Sequence, residues 1–283
     1  MRRWPAIGLG VAVAASAAAA GLYLQHRRGM RAAVEAWAAV ARGTGQTAPR
    51  FSPEMVADQP ETARRYFAHA IAPGTPLYTA VEVEMRGTFL LGDRARYSEY
   101  AMAARQILRP PHEFVWLPRF VSGPAVITGS DVLVDGKGWT RFWLNGLVPV
   151  ANVASSADLV RSATFRAAVE GLWVPASFLP QNGVTWQQIG PDNARVTINR
   201  TTPPITLDLT LAADGAVKEV AGLRWSDANP DKRFKLQPFG GTVSAEATFG
   251  GVTIPSRLSV GNHYGTPDYL PFFQAEITRA RYL

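Results

Sequence analysis

Val81, Val83 and Met85 alternate with Glu82, Glu84 and Arg86, which puts apolar side chains on one face of a strand and charges on the other. Leu207, Leu209 and Leu211 alternate in the same way with Thr206, Asp208 and Thr210, and Asp214-Gly215 then offers a hairpin turn into 216–225. Val243, Ala245, Ala247 and Phe249 alternate with Ser244, Glu246 and Thr248 before Gly250-Gly251 turns the chain into 252–260. Strand-like runs also cover 94–108, 114–117, 125–134, 139–144, 184–189, 194–200 and 272–283. About ten strands joined by short Gly and Pro turns predict a mainly β (α+β) fold built on one large curved antiparallel sheet, an open barrel or half-barrel.

Helical spacing interrupts this pattern. Residues 30–41 have helical composition and end at Gly43, Gly45 and Pro49, as a juxtamembrane stalk would; a second helix is expected over 60–71 and is stopped by Pro73-Gly74. Between 155 and 173, Leu159, Phe165, Val169 and Leu172 recur at helix spacing, which predicts a helix packed on the concave face of the sheet. Before all of these, an uncharged apolar run from Trp4 to Leu24 is bracketed by Arg2 and Arg3 on one side and Arg27, Arg28 and Arg31 on the other. It is long enough to cross a bilayer, although a signal peptide cleaved near Ala18-Ala19-Ala20 has the same outline. The arginines that follow favour a retained transmembrane anchor, since positive charge opposes translocation. The expected division is an anchor over 1–28, a juxtamembrane helix and linker over 29–50, and one β-rich domain over 51–283.

The chain of 283 residues has a formal net charge of +7. Residues 1–50 carry +6 of it, leaving +1 for the rest, so the basic excess lies beside the apolar run and nucleic acid is set aside as a partner. There is no cysteine, hence no disulfide, thiolate metal site or thiol nucleophile. His26, His69, His112 and His263 have no metal-ligand spacing, and no nucleophile elbow, phosphate loop or dinucleotide fingerprint occurs, so no cofactor and no metal is expected. Asp131 and Asp135 would share a strand face by period two, and Asp227, Asn229 and Asp231 have the spacing of a calcium loop without its Gly or distant Glu; both read as polar strand ends or turns.

One stripe is unusual. Arg166, Glu170 and Trp173 fall at i, i+4 and i+7 of the helix over 155–173, in an order that poorly suits a surface ion pair. A structural salt bridge tying the helix to the sheet is the simpler reading, and a ligand-contacting pair the sharper one. Phe114, Trp116, Trp139, Phe142, Trp143, Trp173, Phe178 and Trp186 crowd the middle third, as core filling or as the lining of an apolar pocket.

Phe165-Arg166 through Glu170, Trp173-Val174-Pro175-Ala176 and Val184-Thr185-Trp186 resemble the signature of a functionally uncharacterised bacterial family that often carries an N-terminal hydrophobic segment. Ala104-Arg105-Gln106, Phe114-Val115-Trp116, Asp131 with Gly136 and Gly138, and Gly146-Leu147-Val148-Pro149-Val150 follow in the same pattern. The resemblance implies no reaction. Its element order implies, at the level of fold, the half-barrel of lipoprotein and lipid carriers such as LolA and LprG. The leading expectation is a membrane-anchored, extracytoplasmic domain that binds an apolar or lipid-like ligand without catalysis, with Arg166, Glu170, Trp173, Gln106, Trp116 and Trp139 as ligand-binding candidates. The alternatives are a hydrolase-like enzyme on a membrane-derived substrate, with Glu170 as base and Arg166 as anion clamp, and a structural or partner-binding module.

Overall fold

The alternation at Val81, Val83 and Met85 is the buried face of β1 (Val81–Gly92), the strand next to the centre of the sheet. The computed structural model describes residues 4–42 and 49–283, with side chains from residue 16 onward. After β1 the chain runs outward through β2 (Tyr97–Arg109), β3 (Glu113–Ser122), β4 (Ala125–Val134), β5 (Lys137–Leu144) and β6 (Val148–Val153) to one edge of the sheet. It re-enters at the opposite edge with β7 (Val184–Gln188) and runs inward through β8 (Asn193–Ile198), β9 (Ile205–Leu211), β10 (Val217–Ser226), β11 (Lys235–Phe249) and β12 (Val252–Asn262) to β13 (Leu270–Tyr282). There β13 pairs with β1, from Val81↔Tyr282 to Phe89↔Phe273, so two meanders join into one antiparallel sheet of 13 strands. The strands expected from alternation are all present. The one the sequence pattern missed is β6, an edge strand whose Val148, Val150 and Val153 are all exposed, so it shows no alternation.

The link from one edge to the other contains α3 (Ala157–Val169), followed by short 3-10 turns over 170–182. Ser156 caps α3 by accepting a hydrogen bond from the Leu159 amide at 3.1 Å. The helix lies against β3, β4 and β5 on one side and β9 and β10 on the other. In a flat sheet β5 and β9 would be nine strand spacings apart, about 43 Å, whereas thirteen helical residues span only about 20 Å. The sheet therefore curls around α3, which occupies its concave face. Two glycines allow this close approach: a Cβ on Gly138 of β5 would stand 2.5 Å from Leu159, and one on Gly222 of β10 would stand 3.0 Å from Phe165. At the β7 edge, α2 (Glu61–Ala70) closes the core by setting Tyr66 and Phe67 against Trp186, ring centroids 5.2 and 5.3 Å away.

The N-terminal segment departs from the expected stalk. Helix α1 (Trp4–Arg42) is continuous, and from Gly29 onward it lies on the outer, convex face of the sheet. Ala33 and Val40 are fully buried there against Ile107, Val115 and Val132, and Trp37 donates its indole N–H to Glu82 at 3.1 Å. Residues 16–21 of α1 are exposed. The anchor expected over 1–28 lies outside the described residues for 1–3 and outside the described side chains for 4–15, and among the described residues no helix is long and apolar enough to cross a membrane.

Docking of α1 by burial predicts that Val40→Asp, which places an unpaired carboxylate at a fully buried position, lowers stability by about 3 kcal/mol in urea unfolding.

Candidate functional site

Arg166 projects from the last turn of α3 into the concave interior, where each of its three guanidinium nitrogens donates to an acceptor. Nε donates to Glu170 Oε1 at 2.8 Å, Nη1 to Asp131 Oδ2 at 2.6 Å and Nη2 to Gln106 Oε1 at 3.1 Å. Gln106, on β2 and wholly buried, returns its amide to Glu170 Oε2 at 2.6 Å, and Thr140 on β5 donates to Asp131 Oδ1 at 2.8 Å. Every oxygen of the two carboxylates thus receives a donor. Glu170 stands at the carbonyl end of α3, where the helix dipole disfavours an anion, and Arg166 with Gln106 compensates it there. The guanidinium also lies over Phe114 and Trp116, 4.4 and 4.8 Å from their centroids. Burial disfavours its charge, but Glu170 and Asp131 outweigh that penalty and hold the pKa of Arg166 above its ordinary value.

The structure therefore brings together Arg166, Glu170, Gln106 and Trp116, and adds Asp131, whose pairing with Arg166 the sequence spacing did not reveal. Asp135 is not its partner: it leaves β4 with φ +51° into the exposed turn to β5. Trp173 sits beside this cluster as core, its indole N–H donated to the Pro255 carbonyl at 3.1 Å. Trp139 does not belong with them. It lies on the convex face, under α1, with its indole N–H on Ser130 at 3.0 Å. Trp143 is also an outer residue, against His26 and Gly29 of α1.

The aromatic interior, which the sequence offered as core filling or as the lining of an apolar pocket, is largely filled. Beside Arg166 and Glu170 the free space between Val169, Leu172, Phe239 and Phe273 is about 60 Å³, room for a water or two rather than for an acyl chain. A larger cavity lies elsewhere. β9 pairs with β10 from Leu211↔Val217 only to Leu207↔Gly222, while β10 continues to Ser226 paired with β11 alone. Where β10 outruns β9 the sheet gapes, and the N-terminal half of α3 stands behind the opening. The resulting groove has a volume of about 740 Å³. Val160 and Phe165 of α3, Pro203 and Pro204 before β9, and Leu223 and Leu236 at the ends of β10 and β11 give it a mainly apolar lining. Leu223 and Leu236 are 57 and 50 % exposed, apolar side chains held open to solvent at its mouth.

Between the groove and the Arg166 cluster lies a second buried arginine that sequence reasoning missed. Arg224 of β10 donates Nε to Ser162 at 3.2 Å and lies over Phe239 at 5.2 Å, and among the described residues it has no carboxylate partner. Burial, then repulsion from Arg166, pushes its pKa down to about 10, so it stays charged at neutral pH at a cost in stability. No group of side chains among the described residues has the makings of a metal site.

The model of a family of unknown function, DUF6544, matches residues 49–275. No curated protein matches the chain. Among solved structures, the chain is similar to a domain assigned to outer-membrane lipoprotein sorting from Vibrio parahaemolyticus, at 10 % identity and a TM-score of 0.38, over 82 % of this chain and 93 % of that one. It is also similar to a LolA superfamily protein from Nitrosomonas europaea, at 9 % identity and a TM-score of 0.39, over 78 % and 91 % of the two chains.

The two arginines should respond oppositely to removal. Arg166→Met strands two carboxylates and should cost about 3–5 kcal/mol. Arg224→Met removes an uncompensated buried cation and should leave the urea midpoint unchanged or raise it.

Proposed function

We propose that this chain, which belongs to DUF6544, is a non-catalytic binder of an apolar, lipid-like ligand and is held at a membrane by α1. The observation that carries the reading is the groove beside α3: about 740 Å³ falls within the range of small-molecule sites, its lining is mainly apolar, and it opens to solvent between exposed leucines. The site of binding in this reading is the gap between β9 and β10, while the Arg166 cluster holds α3 in place. A base awaiting a substrate proton needs a free lone pair directed at open space, and Glu170 has both oxygens engaged by Arg166 and Gln106. The geometry therefore favours binding over hydrolysis.

Support for membrane attachment comes from the apolar run of residues 4–24 and from the exposure of residues 16–21. Arg27, Arg28 and Arg31 follow directly, where they would meet lipid head groups. In this reading the β-rich body lies on the extracytoplasmic side, against the pull of these arginines toward the cytoplasm, and a protease-protection assay on intact cells reads the orientation directly.

Native mass spectrometry and organic extraction of the purified protein should recover a bound lipid-like molecule. Ala221→Trp, which places an indole in the groove, should reduce its occupancy at least tenfold without loss of the fold. An empty wild-type protein that also binds no added amphiphile would end the reading. Deletion of residues 1–24 should shift the protein from the membrane fraction to the soluble one.

A further inference from the structure

The groove beside α3 carries one charge that its own lining leaves unbalanced. Arg195 of β8 and Asp208 of β9 neutralise each other there through two hydrogen bonds of 2.8 and 2.9 Å. Arg161 of α3 faces the same space, and among the described residues it has no ion-pair partner. Its guanidinium carbon stands 4.1 Å from the centroid of the Trp225 ring. Asp158, one turn earlier on α3, is engaged by the indole N–H of that same Trp225 at 2.7 Å. An acid, an indole and a cation thus form a short ladder in which the acid fixes the ring and the ring supports the cation. A guanidinium stacked on an aromatic face keeps its N–H edge free and oriented, which is the geometry that recognises a carboxylate or phosphate. Ala157, the first residue of α3, lines the groove as well, so the positive end of the helix dipole lies beside this edge.

We infer that the groove selects amphiphiles with a single anionic head, a carboxylate or a phosphate monoester, whose head pairs with Arg161 while the apolar chain lies along Val160, Phe165, Ile205 and Leu223. This rests on the binding reading and adds the chemical class of the ligand and the residue that selects it. Neither Arg166 nor Arg224 serves in that role, because both lie outside the lining of the groove: the first donates from each of its three nitrogens to Glu170, Asp131 and Gln106, and the second faces Ser162 and Phe239. Trp225 remains in place when Arg161 is replaced, because its indole is held by Asp158.

Isothermal titration calorimetry of the full chain with dodecanoate, dodecyl phosphate, dodecanol and inorganic phosphate tests this. The wild type should bind at least one of the two anionic amphiphiles about tenfold more tightly than dodecanol, equivalent to about 1.4 kcal/mol. The tighter of the two identifies the head as carboxylate or phosphate. Arg161→Gln should bring that anion down to the affinity of dodecanol and leave dodecanol itself unchanged. Equal binding of anions and alcohol by the wild type, or a preference that survives Arg161→Gln, overturns the inference while the apolar groove stands. Inorganic phosphate binding as tightly as dodecyl phosphate also overturns it, by making the site one for small anions. If none of the three amphiphiles binds, the binding reading falls together with the inference.

Discussion

A chain that leaves a sheet of 13 strands at one edge and re-enters at the other must cross its whole width, and the crossing here contains α3. A helix about 20 Å long cannot reach both halves of a flat sheet, so the sheet has to bend until both meet it. The guanidinium of Arg166 fixes how they meet. Through one side chain it joins α3 to β2 at Gln106 and to β4 at Asp131, and it neutralises the acidic end of the helix at Glu170. Such a buried cluster is costly to assemble and costlier to break, which suits it to setting one register between helix and sheet rather than to adding net stability. The glycines at 138 and 222 complete the fit by removing the side chains that would hold the helix off.

The position of α3 also decides where a ligand can go. By filling the concave face it leaves almost no room beside the aromatic core, about 60 Å³ near Glu170. The same placement puts its N-terminal half behind the gap where β10 extends beyond β9. Free volume is therefore displaced from the centre of the half-barrel to its flank, along with the stacked pair Arg161 and Trp225. Arg224 lies between the two regions, charged and without a carboxylate, a strain that the nearby Arg166 increases and that Asp131 and Glu170 reduce.

Much of the architecture was legible in the sequence because period-two alternation is a property of each strand by itself. Val81–Met85 and Leu207–Leu211 bury the faces their spacing assigns, and the turns at Asp214-Gly215 and Gly250-Gly251 fall where the glycines place them. β6 escaped notice because an edge strand with valines exposed on both faces has no alternation to read. The pairing of Arg166 with Glu170 was visible as a helical i, i+4 spacing, but Gln106 and Asp131 join it only through sheet curvature, a non-local property. Trp139 and Trp116 look alike in sequence and lie on opposite faces of the sheet. The groove had no sequence signal, since it is made by the unequal ends of two strands. α1 is one helix across the boundary expected between 28 and 29, because charge interrupts hydrophobicity there while the helical backbone continues.

The central claim is that an amphiphile lies in the gap between β9 and β10 and not in the filled interior. Anomalous diffraction from crystals of the protein grown with a terminally brominated dodecanoate tests it most directly. A bromine peak is expected within van der Waals distance of the apolar lining at Ile205, Leu223 or Leu236, with the carboxylate density at Arg161. A bromine peak beside Trp173 and Phe273 instead, with α3 displaced, would contradict it.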